Sequence, residues 1–186
     1  MKIVTKFRRD CAYKEADTNN TNTLSEEKVL HIVRKLDVPA RLVFAALTEA
    51  DRIREWWGPK NYATPFAAVD LRVGGKFHYC MRSPDGADFW GIGIFREIVP
   101  NKKLVYTDSF SDKDGNIVPP EKYGLPAEWP IESIVEVTLE EQASGTLLTI
   151  HSSAPSNAPQ DIFDGSVQGW NEMIDKLAEY VVRARW

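Results

Sequence analysis

Pro159-Gln160-Asp161-Ile162-Phe163-Asp164-Gly165-Ser166-Val167-Gln168-Gly169-Trp170-Asn171-Glu172-Met173-Ile174-Asp175-Lys176-Leu177-Ala178-Glu179-Tyr180-Val181 decides the fold. Proline suits a first helical turn, and Asp161 complements the positive end of the helix dipole. Phe163, Val167, Trp170, Ile174, Leu177 and Val181 step by three and four residues, which predicts one long buried face. Gly165 and Gly169 weaken such a helix by roughly 1 kcal/mol each relative to alanine. They therefore imply either a close approach to a neighbouring layer or space beside the helix.

That layer is a sheet. From Lys28 to Val38, Leu30, Ile32, Leu36 and Val38 share one parity while His31, Lys35 and Asp37 take the other, the period of a half-buried strand. Pro39 then opens a short helix bearing Leu42, Val43, Ala46 and Leu47. A second helix with Ile53, Trp56 and Trp57 is stopped by Gly58-Pro59. Between Ala63 and Phe110, turn signals at Gly74-Gly75, Ser83-Pro84-Asp85-Gly86 and Pro100-Asn101 divide the chain into four strands of a meander. Residues 116–130 are rich in proline and lack a regular period, so they read as a long loop. Two strands, 132–140 and 146–153, flank the Ser144-Gly145 turn. Residues 1–25, polar from Glu15 to Thr23, read as an N-terminal extension ahead of a domain over 26–186. Ile3, Val4 and Phe7 form either a short strand or a loose tail.

The bulk properties narrow the function. The 186 residues are 43% hydrophobic and 27% charged, ordinary for a globular protein. A net charge of -4 offers no basic field for nucleic acid. No stretch approaches the length of a membrane span, and Met1 to Asp10 lead into no apolar signal segment, so a cytoplasmic protein is expected. Cys11 and Cys80 lack metal or redox spacing. No cofactor is expected either: there is no phosphate-binding glycine loop, and the Gly91-Ile92-Gly93 stretch is followed by no helix. His31, His78 and His151 each fall on the parity opposite to the apolar set, so they read as solvent-facing, with no metal or catalytic role.

The motifs Asp37-Val38-Pro39-Ala40-Arg41-Leu42-Val43-Phe44-Ala45-Ala46-Leu47, Trp56-Trp57-Gly58-Pro59, Asp70-Leu71-Arg72-Val73-Gly74-Gly75-Lys76-Phe77, Met81-Arg82-Ser83-Pro84-Asp85-Gly86 and Phe95-Arg96-Glu97-Ile98-Val99-Pro100-Asn101-Lys102-Lys103-Leu104-Val105 carry a family resemblance, as does Gly169-Trp170-Asn171. Over about Lys28 to Val182 the chain resembles the family named for the activator of the heat-shock protein 90 ATPase, within the START-like (SRPBCC) superfamily. The resemblance implies an α+β helix-grip fold: a curved antiparallel sheet wrapped around the long C-terminal helix, with two short helices after the first strand. Members of that superfamily bind lipids, hormones or polyketides, and some are cyclases. The namesake co-chaperone has a separate N-terminal domain, so its chaperone activity is not implied by the name.

Within such a fold the aromatic residues converge. Phe77, Tyr79 and Met81 share one parity of a strand, Tyr106 and Phe110 share one parity of another, and Trp170, Ile174 and Leu177 face them from the helix. Each alone is more often a core residue. Together, against a glycine-bearing helix, they predict an apolar cavity. Trp56, Trp57 and Trp129 are candidates for its mouth, and Phe95 rather than Trp90 is taken as inward. Arg34 lies on the inward parity of the first strand and needs an acidic partner, for which Glu97 is the candidate; a rim ion pair is favoured over a ligand contact. The expected function is binding of a small apolar or aromatic ligand between helix and sheet, with Tyr79, Tyr106 or Arg34 orienting its polar end. A co-chaperone-like or regulatory interaction protein, with a chaperone or regulator as partner, and a cyclase- or hydrolase-type enzyme are the alternatives. Dimerisation through a sheet edge or the N-terminal segment is left open.

Overall fold

A computed structural model describes residues 27–154, 156–184 and 186. The expected extension over 1–25, with Cys11, lies outside the described residues. The elements follow the order β1 (Lys28–Leu36), α1 (Ala40–Thr48), α2 (Ala50–Trp56), β2 (Ala63–Val69), β3 (Lys76–Arg82), β4 (Asp88–Val99), β5 (Lys103–Phe110), β6 (Ser133–Gln142), β7 (Gly145–Ala154) and α3 (Gln160–Arg183). The strands form one curved antiparallel sheet in the order β1-β7-β6-β5-β4-β3-β2. This is the α+β helix-grip arrangement expected from the sequence.

Parity explains which face carries the core. Leu30, Ile32 and Leu36 of β1, Val135, Val137 and Leu139 of β6, and Leu148 and Ile150 of β7 are all buried. They meet Val43 and Ala46 of α1, Ile53 and Trp56 of α2, and Ile174, Leu177 and Val181 of α3. On β4, a register shift between Phe95 and Glu97 marks a bulge, which interrupts the simple alternation and hides the strand's parity in sequence. Pairing resolves it: Phe95 lies opposite Tyr106 and is inward, whereas Trp90 packs with Phe66 and His78 on the other face.

The loop over 116–130 departs from the expectation of an irregular segment. Pro120–Tyr123 forms a 3-10 turn. The Tyr123 hydroxyl donates to the Ser111 carbonyl at 2.7 Å and accepts from the Trp90 amide at 3.2 Å, fixing the loop to the sheet. No helix of the described residues is long and apolar enough to cross a membrane.

The long helix is buried unevenly. Met173, Ile174, Leu177, Tyr180 and Val181 are buried, but Phe163, Val167 and Trp170 in its first half are only partly covered. The helix rests on the core with its second half and stands off the sheet with its first. A Cβ built on Gly165 meets nothing within 4 Å, and one on Gly169 meets only the Pro59 ring at 3.5 Å. Of the two meanings the glycines can have, space is the one observed. Gly165→Ala is therefore expected to stabilise the protein by about 1 kcal/mol, a rise in Tm of roughly 2–4 °C in a thermal melt. A lowered Tm would show that the added methyl does meet a neighbour.

Candidate functional site

The space beneath the first half of α3 is a cavity of about 260 Å³. Phe163, Gly165, Ser166, Gly169 and Trp170 form its helical wall, and Tyr79, Met81, Asp108 and Phe110 its floor on the sheet. Trp57 and Pro59 close one side, and Trp129 and Pro130 bring the long loop to the other. Ser133, Ser152 and Ser153 add to the lining from β6 and β7.

Trp57 is positioned from both ends. Its backbone amide bonds to the Ile53 carbonyl at 2.9 Å, ending α2. The Lys176 ammonium from α3 donates to the carbonyls of Trp57, Gly58, Pro59 and Tyr62 at 3.0–3.4 Å, satisfying acceptors that the helix end leaves unpaired. Burial lowers the Lys176 pKa from its ordinary value. The Trp57 indole then stacks edge-on against Phe77, Tyr79 and Trp170, with centroids 5.0, 5.2 and 6.0 Å away. Its Nε1–H is buried without an acceptor among the described residues.

The polar centre of the cavity is Asp108, whose carboxylate accepts a hydrogen bond from the Tyr79 hydroxyl at 3.0 Å. Burial raises the Asp108 pKa, partly offset by the tyrosine bond. Burial also pushes the Tyr79 hydroxyl well above its ordinary value, reinforced by the adjacent carboxylate. Both shifts favour the neutral form, so the pair is not divided into one acid and one base. Asp108 was not among the candidates read from the sequence, although it has the parity of Tyr106 and Phe110.

Of the candidates, Tyr79, Met81, Phe110, Trp129 and Trp170 line the cavity. Phe77, Phe95, Tyr106, Ile174 and Leu177 are buried behind that lining in the core. Trp56 corrects an expectation: it is 1% exposed, with its indole N–H donating to the Ala46 carbonyl at 3.0 Å, and belongs to the core rather than to a cavity mouth. A second correction concerns Arg34. Its partner is Asp175 of α3 at 2.8 Å, while Glu97 of β4 pairs with Lys103 of β5 at 3.0 Å, in the middle of the sheet and at least three strands from β1. Arg34 does not line the cavity, and its ion pair is a solvent-screened rim contact.

His31 and His151 stack on each other at 4.2 Å and are exposed, and a His78 ring nitrogen lies 3.2 Å from the Asp112 carbonyl oxygen. No group of three or more metal-ligating side chains exists among the described residues. Cys80 is a buried free thiol whose pKa burial pushes up to about 11, far from the reactive range.

Comparison with known proteins places this arrangement. A protein from Nitrosomonas europaea, solved by X-ray crystallography, is 28% identical, with 83% of this chain and 94% of that chain covered and a TM-score of 0.68. A protein from Arthrobacter aurescens, solved by NMR in solution, is 25% identical over 87% of this chain and 94% of that one, with a TM-score of 0.71. Among curated proteins none matches the sequence. The profile of the Activator of Hsp90 ATPase homolog 1-like protein family matches residues 37–182, from the end of β1 through nearly all of α3. With that match spanning most of the sequence, and a seven-stranded sheet closed by a long helix, the chain belongs to the Activator of Hsp90 ATPase homolog 1-like protein family.

Proposed function

We propose that the protein binds a small, largely apolar molecule with an aromatic or other flat body in the cavity between the first half of α3 and the sheet. The observation that carries this reading is the way α3 stands off the sheet where Gly165 and Gly169 lie, leaving about 260 Å³ walled by Trp57, Trp129, Trp170 and Phe110. Packed interiors hold few voids of this size. Cavities of mostly apolar lining with a few placed polar groups are the usual form of small-molecule sites. Here those polar groups are the Asp108 carboxylate and the Tyr79 hydroxyl. The ring walls supply contact area, and the polar groups supply orientation.

The test is native mass spectrometry of the purified protein beside Gly169→Leu. Leucine is a good helix former, and its Cβ would meet only Pro59 at ordinary contact distance, so the variant is expected to fold while its side chain fills the cavity. The expected result is a small-molecule adduct on the wild type that is absent from a variant of undiminished Tm. Equal adduct on both proteins would place the ligand elsewhere and sink the proposal.

A further inference from the structure

This inference rests on the cavity being a ligand site and concerns the chemistry of the ligand. Among the described residues, Asp108 is the one carboxylate in the lining, and no lysine, arginine or histidine joins it there. It accepts a hydrogen bond from Tyr79, and none of the ion pairs of the described residues involves it. A carboxylate half-buried without a cation carries a desolvation cost, because one neutral hydrogen bond does not replace the hydration it loses. The surrounding wall of Trp57, Phe110, Trp129 and Trp170 presents π-systems, which attract a positive charge and do not compensate a negative one.

We propose that the cavity selects molecules carrying a protonated amine, with the ammonium seated against the Asp108 carboxylate and the apolar body held among Trp57, Phe110, Trp129 and Trp170. An anionic ligand would meet Asp108 with no lining cation to offset the repulsion. A neutral alcohol would donate one hydrogen bond and leave the charge uncompensated. The ammonium supplies both the charge and a charge-assisted bond.

Three probes of similar shape distinguish these cases: phenethylamine, 2-phenylethanol and 3-phenylpropionate, titrated into the full chain by calorimetry. The amine is expected to bind about tenfold tighter than the alcohol, the factor that corresponds to one charge-assisted bond replacing a neutral one. The propionate is expected to bind weakest. In Asp108→Asn the amide keeps an acceptor for Tyr79, and amine and alcohol affinities should converge.

A pH series on the wild type gives an independent readout. Asp108 faces Tyr79 from β3, Tyr106 on its own strand and Ser133 from β6; neither the α3 wall nor the 129–130 loop segment adds an ionisable side chain to the lining. The tyrosines stay neutral and the amine stays protonated between about pH 4 and 8, so Asp108 is the group that titrates. Because burial raises its pKa, amine affinity should climb with pH as Asp108 ionises and then level off, while alcohol affinity does not climb. An alcohol that binds as well as the amine, with both insensitive to Asp108→Asn, would overturn the amine assignment and leave the cavity proposal standing. Failure of all three probes to bind would overturn both.

Discussion

Trp56→Ala is expected to cost about 3–5 kcal/mol of folding stability, the range for removing a large buried aromatic side chain. Trp56 is 1% exposed and sits where α1, α2 and the sheet meet, so the surrounding side chains cannot collapse into the vacated volume without moving a helix. Its N–H also serves the backbone. The Ala46 carbonyl lies in the last turn of α1, where intrahelical donors run out, and the indole supplies one at 3.0 Å. The substitution thus leaves a void and an unpaired buried acceptor together. Urea unfolding should show a lower midpoint with an unchanged slope. A loss below about 1 kcal/mol, the level of an exposed substitution, would contradict this account.

Trp56 also shows where sequence reading reaches its limit. Two adjacent tryptophans before Gly58-Pro59 look equivalent, yet Ile53 and Trp56 are three apart on one helical face, while Trp57 lies one residue beyond the helix end, turned toward the cavity. Spacing alone does not separate them, because Ile53 is three residues from Trp56 and four from Trp57, and both spacings share a helical face; the helix end does. Asp108, by contrast, was legible. The parity that grouped Tyr106 with Phe110 includes the residue between them, and a carboxylate on an inward parity is the stronger chemical signal.

Other features were not available from local pattern. Periodicity gives the face of α3 but not the point at which the helix leaves the sheet, because that depends on what α2 and the loop place beneath it. Arg34 and Asp175 come from β1 and α3, elements joined only through the whole meander, so no spacing rule relates them. The bulge in β4 hides the inward parity, and Tyr123 docks the proline-rich loop through hydrogen bonds that carry no sequence period.

Gly91→Ala is expected to destabilise the protein by about 1–3 kcal/mol, as overpacking a filled interior does, and to remove the polar centre of the cavity. Gly91 has no positive φ, so conformational freedom is not the reason for glycine there. It pairs directly across from Tyr79, and the tyrosine ring lies over it: a Cβ would come within 2.3 Å of Tyr79 Cζ and 2.4 Å of its hydroxyl oxygen. The ring must lift, and with it goes the 3.0 Å bond to Asp108, leaving a half-buried carboxylate with neither donor nor counter-charge. If the ring is the cause, the two residues are coupled. In a Tyr79→Leu background, where the shorter side chain ends before the clash, Gly91→Ala should cost much less than in the wild type, a non-additivity that a double-mutant cycle measures directly. An equal cost in both backgrounds would mean that the new methyl is rejected by the sheet itself. Unequal costs would mean that β4 carries a glycine because β3 must lay a tyrosine flat to reach Asp108.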